Sequence, residues 1–165
     1  MIFDLLTFTL IHVVLSVVGI IAGLVVVGGL IAGARFAGWI IVYFVTTVLT
    51  NVTGFGFPFA TLLPSHIVGG VSLVVLPVAI AALYWKHLKG AWRSIFVVTA
   101  VFALYLNVFV LVAQLFQKTP ALIALAPTQT APAFVVTHLI VLALFVVLGR
   151  AAVKGFRTER AAVAG

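Results

Sequence analysis

The sequence predicts an all-α, polytopic membrane helical bundle with five transmembrane helices, and three observations carry that prediction. Apolar residues make up 65% of the 165-residue chain and charged residues only 7%, whereas a soluble domain of this size has roughly a quarter of its residues charged. The apolar residues fall in long uninterrupted runs, and mean hydropathy reaches +1.43; about 20 helical residues suffice to cross the roughly 30 Å hydrocarbon layer. The runs lack period-two alternation, and an open sheet in lipid would leave backbone groups unpaired, so the spans must be helical.

The first span is expected from about Leu5 to Gly33. It follows Asp4 rather than a basic leader and stays apolar far beyond the core of a cleavable signal, so it reads as a retained helix. Gly19-x-x-x-Gly23 and Gly29-x-x-x-Gly33, with Ser16, form small-residue stripes. Such stripes let helices approach closely in lipid. They serve packing within the chain or, alternatively, a homodimer or a partner membrane protein. The second span, about 37–55, dissolves into Gly54-Phe55-Gly56-Phe57-Pro58.

The third span, about 65–86, opens with Ser65 as a helix cap, and Pro77 inside it is expected to kink the helix and free the carbonyl of Leu73. The fourth covers about 92–117 and the fifth about 133–153. Between them, Thr119-Pro120 is a cap and first residue for a short apolar helix. The connections 53–65 and 119–132 are both apolar, and are expected to lie at the interface or fold over the bundle as lids. Residues 1–153 thus form a single transmembrane domain, with 154–165 as a short cytoplasmic tail.

Charge fixes the expected orientation. Arg35, Lys86, Lys89, Arg93, Arg150, Lys154, Arg157 and Arg160 fall on one side of a five-span chain, and Lys118 and Asp4 on the other. The positive-inside rule gives N-out/C-in, in a multi-pass protein of a bacterial inner membrane. Trp39, Tyr84, Trp85 and Trp92 gather on the basic side as an aromatic belt. The net charge of +7 comes from these clusters at span ends, so it is an orientation signal and not a nucleic-acid footprint.

The composition excludes several chemistries. Cysteine is absent, which removes disulfides, iron–sulfur clusters and thiolate metal sites. No carboxylate falls within a span, which argues against a carboxylate-driven pump. Met1 is the sole methionine, which weakens copper(I) and Met/His haem ligation.

What remains is a one-sided layer of polar residues in the outer half: His12, Thr50, Asn51, Thr53, Ser65, His66, Gln114, Thr137 and His138, with Asn107 nearer the middle. Polar groups in lipid face the bundle, a cavity or one another, so this layer predicts a pocket open toward the outer side. Paired histidines can hold haem iron axially and three can hold a metal ion. His12 and His138 are the expected axial ligands, with His66 as a third metal ligand, and Asn51, Asn107 and Gln114 supply hydrogen bonds. Haem b or a quinone-like molecule in membrane electron transfer is the expected ligand. Two alternatives stand beside this reading: a structural or assembly subunit of a larger membrane complex, and passage of a small neutral or lipidic substrate.

Overall fold

The computed structural model describes residues 5–57 and 64–163, with 64 and 157–163 described by backbone alone. Asp4, the 58–63 part of the apolar connection and the side chains of Arg157, Glu159 and Arg160 therefore lie outside the described residues. The helices are α1 (Leu5–Ile31), α2 (Ala37–Gly54), α3 (Pro64–Ile80), α4 (Trp92–Lys118), α5 (Pro120–Leu125) and α6 (Pro132–Val163). Five stretches are long and apolar enough to cross a membrane: Leu5–Ile31, Ala37–Gly54, Ser65–Trp85, Trp92–Lys118 and Pro132–Phe156. The protein is a helical bundle of the polytopic membrane type, as the apolar runs require.

The helices close into a ring. Each packs on the next, α1 on α2, α2 on α3 and α3 on α4, then α4 on α6 and α6 back on α1, with α4 also reaching α1 across the middle. The core is correspondingly central: Leu30, Leu76, Phe96, Leu104 and Ala152 are fully buried. Outward-facing positions such as Leu6, Ile67, Val74, Ile140 and Val147 stay exposed, because lipid is as good a solvent for them as the core.

The glycine stripe of α1 works inside the chain. A β-carbon at Gly23 would lie 2.6 Å from Leu104 Cδ1 and 2.9 Å from Tyr43 Cε2, and one at Gly19 3.1 Å from Thr46 Oγ1. Gly29 is closed off by the Phe36 ring. Gly33 belongs to a different device. It has φ of +75°, its N–H donates to Leu30 O, and the Ala34 N–H donates to Gly29 O. That is a Schellman cap, for which glycine is the unstrained residue, so the helix ends two residues before the sequence reading has it.

The third span ends at Trp85, within a residue of the expected end at 86. After Pro77, α3 stays helical and passes into a π-helical turn, Ala81–Trp85, closed by Lys86 N–H donating to Ala81 O. His87 and Leu88 then take left-handed φ of +50° and +57°, which costs an L-residue roughly 1–2 kcal/mol each. The last helix runs to Val163, ten residues beyond the expected end of the span at 153. Packing holds its continuation. Gly155 sits directly on the Ile31 carbonyl, where a β-carbon would have no room. Arg93 donates to Phe156 O at 2.5 Å and lays its guanidinium 4.5 Å from the Phe156 ring centroid.

These contacts put the end of α1, the start of α4 and the end of α6 together at one basic end of the bundle. At the opposite, histidine end, α5 begins with Pro120 at its first turn, as its sequence dictates. The α4–α6 connection folds back so that Ala126 is buried with Phe116 and Phe134, whose rings meet edge to face at 5.5 Å.

Candidate functional site

The polar residues singled out from the sequence divide into three groups. In the first, His12 on α1 meets the end of α2: its Nδ1 lies 2.9 Å from Thr53 Oγ1. Thr53 gives its own hydrogen to Leu49 O at 2.7 Å, so the imidazole Nδ1–H is the donor and Nε2 is left as the acceptor nitrogen. The His12 ring also stands edge-on to Phe57 at 5.1 Å. His66, buried at the start of α3, approaches Phe55 at 5.6 Å between ring centroids. His12 and His66 thus flank the same end of α2, each against an aromatic ring.

His138 is elsewhere. It sits between the rings of Phe134 and Phe109, at 4.1 and 4.4 Å, on the α4–α6 side. Its Nδ1 lies 2.9 Å from Phe134 O, one turn back in its own helix, and its Nε2 3.4 Å from Phe109 O. A neutral imidazole has one N–H, and the shorter contact takes it. Among the described residues, no group of three or more His, Asp or Glu side chains comes together to hold a metal ion. The expected set of His12, His66 and His138 as a three-ligand metal site is therefore not formed among the described residues: His138 is held between Phe134 and Phe109, while His12 and His66 lie at the end of α2.

The third group is a buried network. Asn51 donates to Thr47 O at 2.8 Å and to Ser72 Oγ at 3.0 Å, and Asn107 donates to Thr47 Oγ1 at 3.3 Å. All four residues are buried. They tie α2 to α3 and to α4, and Tyr43 adds a second tie through its hydroxyl to Ala100 O at 2.8 Å. Asn51 and Asn107 stand inside packed helix interfaces. Gln114 is half-buried and takes no part in the network. The sequence reading missed Thr47, Ser72 and Tyr43; the Thr47-x-x-x-Asn51 spacing, one turn on a single helix face, was the available signal.

A large concavity among the described residues lies toward the basic end. A groove of about 910 Å³ runs between α4 and α6, at the upper end of the roughly 300–1,000 Å³ of small-molecule sites. Its walls are two facing stripes at helical spacing: Val98, Val101, Phe102 and Tyr105 on α4, and Leu142, Phe145, Val146, Gly149 and Val153 on α6. Tyr105 stacks with Phe102 at 6.1 Å and meets Phe145 at 5.7 Å, so aromatic rings line one stretch of the wall. Arg150 and Lys154 line the other end. The Tyr105 hydroxyl makes no hydrogen bond among the described residues.

No protein-family profile, curated protein or solved structure that was compared matches this chain.

Proposed function

We propose that this chain is a multi-pass membrane protein that holds a lipid-sized, largely apolar molecule, of lipidic or quinone-like character, in the groove between α4 and α6. The observation that carries the reading is the groove itself: a long apolar wall with aromatic rings part-way along it and two cations at one end. The basic end faces the cytoplasm by the positive-inside rule, and a bacterial inner membrane is the setting.

The test is to purify the chain in mild detergent, extract bound molecules and identify them by mass spectrometry. A near-stoichiometric lipid or quinone is expected from the wild type. Val146→Trp fills the groove from an exposed position and is expected to lose that molecule while the bundle stays folded. Equal recovery from both proteins overturns the reading.

Haem b at the histidine end is the second reading, favoured by one observation: the bond from His12 Nδ1–H to Thr53 leaves Nε2 as the nitrogen able to ligate. It places the protein in membrane electron transfer. A Soret band in the purified protein, lost in His12→Gln, supports this reading over the groove.

A further inference from the structure

The groove has a direction. On α6 its lining extends from Leu142 to Lys154, about 18 Å along the axis at 1.5 Å per residue. That is close to the depth of one leaflet, half of a hydrocarbon core roughly 30 Å thick. The apolar and aromatic wall occupies the mid-bundle part, around Phe102, Tyr105 and Phe145, and the cations Arg150 and Lys154 stand at the basic end. They are four residues apart on α6, so both project to the same side of the helix. Apolar wall, charged end and leaflet depth together describe the shape of one membrane lipid lying along the helix pair.

We infer that the occupant is an acidic phospholipid of the leaflet at the basic end, its phosphate held by Arg150 and Lys154 and one acyl chain laid along Phe102, Tyr105 and Phe145. This rests on the groove reading above and names its ligand class. Charge complementarity makes the choice. A guanidinium offers two parallel N–H donors to phosphate oxygens and an ammonium adds a point charge beside them. A neutral quinone ring uses neither. A zwitterionic headgroup brings a cation of its own to a site that already holds two. Lys86 and Lys89 belong to the same basic end but do not line the groove, which separates a groove-specific lipid from general attraction of acidic lipids to a positive surface.

The experiment uses the full-length chain in nanodiscs with two photoreactive phospholipids that share one acyl chain, one with a phosphoglycerol headgroup and one with phosphocholine. Crosslinked residues are mapped by mass spectrometry. At low salt the acidic lipid is expected to label the α4 and α6 stripes at least tenfold more than the zwitterionic one. Arg150→Gln with Lys154→Gln should bring it down to the zwitterionic level. Two cations contribute about fivefold each near a membrane surface, so a loss of about 25-fold is the upper expectation. Arg150→Lys should keep most of the preference, and Lys86→Gln with Lys89→Gln all of it, which also checks that the bundle survives charge removal at this end. Equal labelling of the groove by both lipids, or a preference unchanged in the double Gln variant, overturns the acidic-lipid assignment and leaves the groove as a site for a neutral amphiphile. Absence of labelling on both stripes overturns the groove reading and the lipid assignment together.

Discussion

The histidine end and the α4–α6 groove treat polar groups in opposite ways. At the histidine end and in the interior beneath it, the histidines and asparagines named above have partners, His12 in Thr53, Asn51 in Thr47 and Ser72, Asn107 in Thr47 and His138 in its own helix, with the buried Thr50 hydroxyl as an exception. In the groove, an apolar wall runs beside a phenol with no hydrogen bond among the described residues and ends on two cations. Unpaired polar groups are costly in lipid, so a paired one needs no ligand to account for it. The groove instead presents aromatic surface beside Arg150 and Lys154. Polarity marked one end in the sequence, whereas shape marks the other in the structure.

The largest test of that contrast is Gly155→Leu. The glycine backbone seats α6 on the Ile31 carbonyl, and both partners are backbone, so the cost is expected on the order of 3 kcal/mol. Denaturant unfolding in detergent measures it, and the groove should lose its ligand as α6 is displaced. Wild-type stability would show that α6, and with it the groove, is positioned by other contacts.

Next comes Asn51→Leu, which removes two hydrogen bonds and strands Ser72. A loss of about 1 kcal/mol is expected, in line with interhelical polar contacts in membranes, and combining it with Ser72→Ala should cost less than the sum. Full additivity would break the description of this cluster as one network.

His12→Gln and His138→Gln are expected to cost less, each within about 1 kcal/mol, with no effect on the groove ligand. Loss of that ligand in either variant would erase the distinction between the two regions. The smallest effect belongs to Thr50, whose buried hydroxyl has no hydrogen-bond partner among the described residues. Removing such an unsatisfied group is neutral or favourable, so Thr50→Val should leave stability unchanged or raise it by up to about 1 kcal/mol.

Much of the fold was legible because membrane helices are written locally. Run length and the absence of charge gave five spans whose starts agree with the structure to within a residue, including α4 at Trp92 and α6 at Pro132. Thr119-Pro120 correctly opened α5. The ends were harder. Gly33 looked like part of a packing stripe and is a helix cap, and the continuation of α6 to Val163 depends on Gly155 and Arg93 meeting distant partners. The candidate site was less legible still. The polar residues were visible, but whether each faces a ligand or another side chain depends on how its helix is rotated. Val98, Val101 and Phe102 carry no mark in the sequence that sets them apart from other apolar residues of α4, and they form a groove wall only because α6 lies beside them.

By itself, then, the sequence determined the all-α membrane class, the five apolar spans and the concentration of cations at alternate ends of those spans, because hydrophobic length is a property of each segment alone. The tertiary structure decided that no three of the histidines gather as a metal site among the described residues, that the asparagines tie helices together, and that α4 and α6 form a groove ending on Arg150 and Lys154. Helix rotation and pairing are set by packing against neighbours, and no single span carries that information.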